Sequence, residues 1–443
     1  MRGLLILAFL FSFGPALAAV PAALAPSQVQ QLAALKVGDN LVIGGFPDGY
    51  GGTTNLRFER IDVYAPNARV IAIDAAGEHE LPRSTRSHLI GSNASGDVRA
   101  SLSYDAGFTH ASGVGSNPSG AFAVSASSDA SGITLRTQPS DATLPAGVVP
   151  EIISDDDAIP SGRPMPDALA LKLISATQAT TAASPALHLA TIAVDTDNEL
   201  MSTRFANNNT SATNWIADLF TAMNVMFQRD LAVTLQQGTT YLRTTTDPYA
   251  SSSTPTADSA QLNEFGNYWA AHYASVPRAF AMLLSGKSTD PDKASGIGWI
   301  NGYCSAQYGY SVSRVYLNAN INVSYSALIV SHELGHNFGA YHTQCTNTAT
   351  GAAPTASNTI DQCSAADASN GCYNGPTSCP SSGPGAPAGT VMSYCNMIGC
   401  GGGQNALQFH PTQIATLSAL VAQNTPTCLA VGATDLIFAD GFD

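Results

Sequence analysis

Residues 326–342 read Ser-Ala-Leu-Ile-Val-Ser-His-Glu-Leu-Gly-His-Asn-Phe-Gly-Ala-Tyr-His. The pattern predicts a helix over 326–338. Side chains four apart on a helix share one face, about one turn apart, so His332 and His336 project together. Two imidazoles so placed suit two ligands of a tetrahedral Zn²⁺, with bonds of about 2.0–2.1 Å. Glu333 is offset around the helix, near a water on such a metal without being a ligand itself. Gly339 supplies the left-handed turn that ends the helix, and the returning chain brings His342 to the same point. Three protein ligands leave a fourth position open, the arrangement of a catalytic rather than a structural zinc. The remaining histidines, among them His88, His272 and His410, stand singly and read as surface or core residues.

Outward from this helix the chain alternates between element types. Strand patterns fall at 188–194, 231–235, 279–284, 297–300 and 312–317. Helical patterns fall at 214–229 and 262–273. In the first of these, Ile216, Leu219, Phe220, Met223, Met226 and Phe227 follow helical spacing and form one apolar face, which is core. Alternation of this kind predicts an α/β (α+β) domain over 186–430, with a mixed, mostly parallel sheet flanked by helices.

Upstream the texture differs. Residues 22–35 suggest a short helix. The runs 58–64, 70–73, 121–124 and 133–135 alternate with period two between turn residues, predicting a small β-rich domain over 19–139. Residues 140–185, rich in Pro, Ala, Ser and Thr, read as linker with a short helix near 169–174. Residues 1–18 have the form of a signal peptide: Arg2, an apolar run over 4–13, then Ala16-Leu17-Ala18 before a cleavage site. The run is too short to span a bilayer, which needs about 20 apolar residues, so the mature chain is expected to be soluble, secreted and not inserted in a membrane.

Composition and cysteines fit this reading. Charged residues make up 11% of the chain and the net charge is −14. No basic stripe offers a groove for phosphates, which argues against nucleic acid as a partner. All eight cysteines lie between Cys304 and Cys428. In an exported chain they suggest disulfides, with the pairing open; a second metal site at Cys372 and Cys379, or at Cys395 and Cys400, is the other reading.

His332-Glu333-x-x-His336-x-x-Gly339-x-x-His342 resembles the zinc signature of the metzincin metallopeptidases. Gly389-Thr390-Val391-Met392-Ser393-Tyr394 resembles their methionine turn, which implies that Met392 lies beneath the metal without binding it. Tyr394 resembles a tyrosine that some metzincins place on the metal; here it either stabilises the reaction intermediate or packs. Within the metzincins, the reprolysin (adamalysin) branch in its bacterial secreted type is most similar. Gly296-Ile297-Gly298-Trp299-Ile300, followed by Cys304, resembles its substrate-binding edge strand. Phe409-His410-Pro411 and a helix over 412–421 resemble its closing segment. One departure stands out: reprolysins commonly have Asp after the third histidine, where this chain has Thr343.

The resemblance spans about 187–429 and implies a secreted endopeptidase. It implies one zinc held by His332, His336 and His342, with Glu333 as catalytic base and Gly339, Met392 and Tyr394 in support. Gly296, Ile297, Gly298 and Trp299 would bind extended protein or peptide substrates. It also admits calcium, with no ligands assigned, and a monomer is expected. The β-rich region sits where the family carries a propeptide. No cysteine precedes Cys304, which excludes a cysteine cap on the zinc, so an aspartate of Asp155-Asp156-Asp157 is a candidate for that role. Residues 431–443 form an acidic-aromatic tail, either a sorting signal or a terminal strand. The rival reading is a secreted adhesin or binding protein whose zinc domain is secondary or inactive.

Overall fold

A computed structural model of the chain describes residues 20–129, 132–140, 151–153, 187–250, 256–288, 290–349, 356–402 and 405–432. The expected helix near 169–174, the aspartates 155–157 and the tail from 433 onward lie outside the described residues. The N-terminal part contains β1 (Val20–Ala23), α1 (Pro26–Ala34), β2 (Asn40–Pro47), β3 (Thr53–Ile61), β4 (Val70–Asp74), β5 (Gly77–Leu81), β6 (Ser87–Ser92), β7 (Arg99–Tyr104), β8 (Ala111–Asn117), β9 (Gly120–Asp129), β10 (Gly132–Pro139) and β11 (Glu151–Ile153). The C-terminal part contains β12 (His188–Thr196), α2 (Asn198–Phe205), α3 (Asn209–Leu231), β13 (Val233–Arg243), α4 (Ser259–His272), β14 (Phe280–Ser285), β15 (Lys293–Gly298), β16 (Tyr310–Arg314), α5 (Val323–Asn337), α6 (Pro411–Gln423) and β17 (Ala430–Val431).

The first sheet is antiparallel throughout, in the order β1-β10-β9-β8-β7-β6-β3-β2. Leu32 of α1 packs with Phe46, Phe58, Leu102, Phe122 and Leu135, all buried, to form its own core. The second sheet runs β11-β15-β16-β14-β12-β13-β4-β5, with β17 pairing against the start of β12. Strands β16, β14, β12 and β13 are mutually parallel, and β15 is antiparallel to β16. Read from alternation alone, the run 70–73 belongs with the N-terminal strands. It instead forms β4, which with β5 extends the second sheet, β4 lying parallel to β13 with Val70 opposite Thr240.

Helices cover both faces of this second sheet, so its central strands are apolar on both sides. In β14 every residue is buried. Phe280, Met282 and Leu284 join α3 and α5 in one core, while Ala281 and Leu283 join Leu262, Phe265 and Trp269 of α4 in another. Helix α3, capped by Asn208 accepting from Ser211 N at 2.9 Å, lies between the two sheets. Its apolar face meets the second sheet. Its other side carries Asp218 and Thr221 to the first, where Arg86 bonds the Asp218 carboxylate and His88 Nδ1 lies 2.9 Å from Thr221 Oγ1. This second contact explains why a 23-residue helix is buried nearly all round. Each large apolar side chain so buried contributes about 1.5–3 kcal/mol.

The eight cysteines form four disulfides, Cys304–Cys428, Cys345–Cys372, Cys363–Cys395 and Cys379–Cys400. The reading of Cys372, Cys379, Cys395 and Cys400 as metal ligands therefore falls away. Among the described residues, no helix is long and apolar enough to cross a membrane.

Candidate metal centre

Helix α5 begins at Asn322, whose side chain accepts from Ser324 N at 2.9 Å. It ends where Gly339 takes φ 106°, and Ala340 N bonds Gly335 O at 2.9 Å to close the turn. That reversal carries His342 back over the helix face holding His332 and His336. All three rings are buried, and one ligand atom from each lies within 4.8 Å of the others. His336 Nε2 and His342 Nε2 are 3.2 Å apart. Two nitrogens of a tetrahedral zinc with bonds of about 2.05 Å stand about 3.3 Å apart, so this spacing fits.

Hydrogen bonds set the tautomers to match. His332 Nδ1 lies 2.8 Å from Val391 O, and His336 Nδ1 lies 2.8 Å from Ala340 O. A carbonyl can only accept, so each Nδ1 carries the proton and each Nε2 presents its lone pair. His342 Nδ1 faces the Asp367 carboxylate at 3.3 Å, with the same consequence for its Nε2.

The turn around Met392 holds this arrangement from below. A Cβ added at Gly335 would meet Met392 Sδ at 2.6 Å, so the thioether packs directly under α5. The neighbouring carbonyls are used as well: Val391 O takes His332, and Met392 O accepts Thr343 N at 3.0 Å. The Tyr394 hydroxyl lies 3.0 Å from His342 Nε2, on the side where the three nitrogens converge.

Glu333, also buried, lies against β15. A Cβ on Gly296 would sit 2.2 Å from Glu333 Oε1, and one on Gly298 would sit 2.7 Å from Glu333 O. Glycine at both positions is what lets α5 approach the strand. Ile297 and Trp299 pack on the opposite face of the sheet with the α4 cluster, Trp299 meeting Tyr308 at 5.3 Å between ring centres. Of the four residues expected to bind substrate, two therefore turn their side chains away from the metal-binding face. The strand is not a free edge either: β11 pairs parallel to it, Ile153 opposite Ser295.

A reprolysin-type family profile, described as metallo-peptidase family M12, matches residues 188–409, half of the chain. The chain belongs to metallo-peptidase family M12. No curated protein matches it. Members of family M12 are zinc-dependent peptidases, and the matched segment contains the whole three-histidine group.

The structure also accounts for how this M12 member departs from the reprolysin pattern at Thr343. Thr343 Oγ1 lies 3.1 Å from Ser393 Oγ, and Ser393 bonds the Asp361 carboxylate. A carboxylate thus reaches the methionine turn from Asp361. Sequence reading missed Asp361, Asp367 and Asn337, whose amide bonds Trp299 O and Tyr310 O at 2.9 Å each and fastens the end of α5 to the sheet. Asn337 lies inside the motif, directly after His336. The two aspartates sit in a loop without periodic pattern and gave no signal.

Proposed function

We propose that the chain is a secreted zinc endopeptidase in which Glu333 is the catalytic base. The observation that supports it most is the convergence of three buried imidazoles, with the buried Glu333 next to His332 on the same helix. Bound zinc would supply Lewis-acid polarisation of a peptide carbonyl and bring the acidity of water toward neutrality. Glu333 takes the proton of the attacking water and delivers it to the leaving amine nitrogen. The Tyr394 hydroxyl donates to the oxygen on which negative charge develops. An extended protein or peptide substrate pairs with the backbone of β15 near Gly296 and Gly298 by strand addition; these glycines contribute no side chain.

Export through the signal over 1–18 is in keeping with the four disulfides, which belong to an oxidising compartment. The region 19–185 acts as a propeptide in this reading, because β11 pairs with the same strand that the substrate requires. The purified, processed protein should hold one zinc and cleave unfolded casein. A chelator should abolish cleavage and added zinc should restore it. Cleavage indifferent to chelation, or a processed protein free of zinc, would overturn the proposal.

A further inference from the structure

We infer that Asp367 is a positioning residue of the metal centre, fixing the His342 ring through its Nδ1–H and raising the donor strength of its Nε2. The inference rests on the zinc-peptidase reading above. His332 and His336 each donate to a neutral backbone carbonyl. Among the described residues, the Nδ1 of His342 differs from the other two in facing a carboxylate, Asp367 Oδ2 at 3.3 Å. An anionic acceptor pulls the Nδ1 proton more strongly than a carbonyl does, and so leaves more electron density on the opposite nitrogen.

The carboxylate is itself held in place. Gln344 Nε2 donates to the same oxygen at 2.8 Å, and both Gln344 and Asp367 are buried. The backbone around Asp367 is pinned, its carbonyl accepting Asn370 N at 2.9 Å, and Tyr373 N bonds Gln344 O at 3.0 Å. Cys345–Cys372 closes the loop that carries Asp367 at a point three residues from His342. The disulfide thereby ties the carboxylate to the strand of chain bearing the ligand it orients. His342 has the greatest need of such support. His332 and His336 are set by the helix, whereas His342 follows a glycine turn and has no regular element of its own.

The test uses the zinc-loaded full chain beside Asp367→Asn, which keeps the size and an acceptor oxygen while removing the charge. Zinc affinity and release are read by competition with a chromogenic chelator, and unfolding of the metal-free proteins is measured in parallel. The expected result is a 10–100-fold loss of zinc affinity with an unchanged midpoint for the metal-free fold. The proton on His342 Nδ1 should also resonate downfield of those on His332 and His336 in the wild type, and the gap should close in the variant. Equal zinc release from wild type and Asp367→Asn would overturn the inference and leave the peptidase reading intact. A wild type that binds no zinc would overturn both. Should Asp367→Asn fail to fold, Gln344→Met removes the anchor and leaves the carboxylate. It must release zinc faster than wild type, and unchanged release would count against the inference.

Discussion

Replacing Gly296 by alanine tests the placement of Glu333 with a single methyl group. Gly296 does not adopt a positive φ, so alanine brings no backbone strain there. Its Cβ, however, would stand 2.2 Å from Glu333 Oε1, 2.4 Å from Cδ and 2.5 Å from Cγ. Carbon atoms in contact stand about 3.5 Å apart, so something must move by about 1 Å. The strand is fixed by β16 on its inner side, with Gly296 opposite Ser313. The side chain of Glu333 is the softer partner and yields. A displacement of that size in a catalytic group costs about 10²-fold in rate. Overpacking of a buried contact adds about 1–3 kcal/mol of destabilisation. The three atoms nearest the new methyl group all belong to Glu333, so zinc content should stay at the wild-type level. Peptide cleavage by the processed Gly296→Ala protein, with kcat and KM separated and zinc measured, decides the matter. A kcat within about threefold of wild type in a folded, zinc-loaded variant would refute the placement of Glu333 against β15.

Other outcomes follow from the rest of the molecule. Burial lowers the pKa of His88 to about 4 against an ordinary 6.5, with Asp218 opposing and Arg86 assisting that shift. The unfolded chain therefore binds more protons between pH 6.5 and 4, and folding loses about 3 kcal/mol as pH falls through that window. Urea unfolding at pH 7 and pH 4.5 should show this loss as a difference: wild type should be more destabilised by the pH change than His88→Gln, since the buried Asp197, whose pKa burial raises to about 7, shifts stability the other way in both proteins. Asp361→Ala removes the carboxylate behind Ser393 and should cost about 1–3 kcal/mol, read as a lower denaturant midpoint and a weaker hold on zinc. Cutting the chain within 154–186 should raise casein cleavage, because β11 is then free to leave β15; equal rates before and after the cut would remove the propeptide reading. The cut fragments should still co-elute at neutral pH, since α3 and the β4–β5 hairpin join the two sheets; separation without denaturant would contradict that packing.

Helix α5 and the group it carries were legible because helical spacing and ligand spacing coincide at His332 and His336. The same holds for β14, whose run of apolar residues marks a strand covered on both faces, and for α3, whose apolar spacing survives the added contacts on its second side. Sheet membership was not legible. The alternation of 70–73 suits either sheet, and only the pairing of Val70 with Thr240 assigns it. Strand β13 runs on to Arg243 through Gln236, Gln237, Gly238, Thr239 and Thr240, polar and small residues with no apolar alternation to extend the expected 231–235. Asp361 and Asp367 act on the site from a loop stapled by disulfides, so their roles depend on pairings that spacing cannot choose. The glycines of 296–298 drew notice as a substrate strand. That they are vacancies for Glu333 became visible only with α5 in place.

The most direct test of the central claim is Glu333→Gln in the processed protein, with zinc content and casein cleavage measured beside wild type. Glutamine keeps the shape of the side chain but cannot take the proton. The expected result is full zinc occupancy with cleavage reduced by at least about 10²–10⁴-fold. Undiminished cleavage by a folded, zinc-loaded Glu333→Gln protein would contradict the assignment of Glu333 as the base.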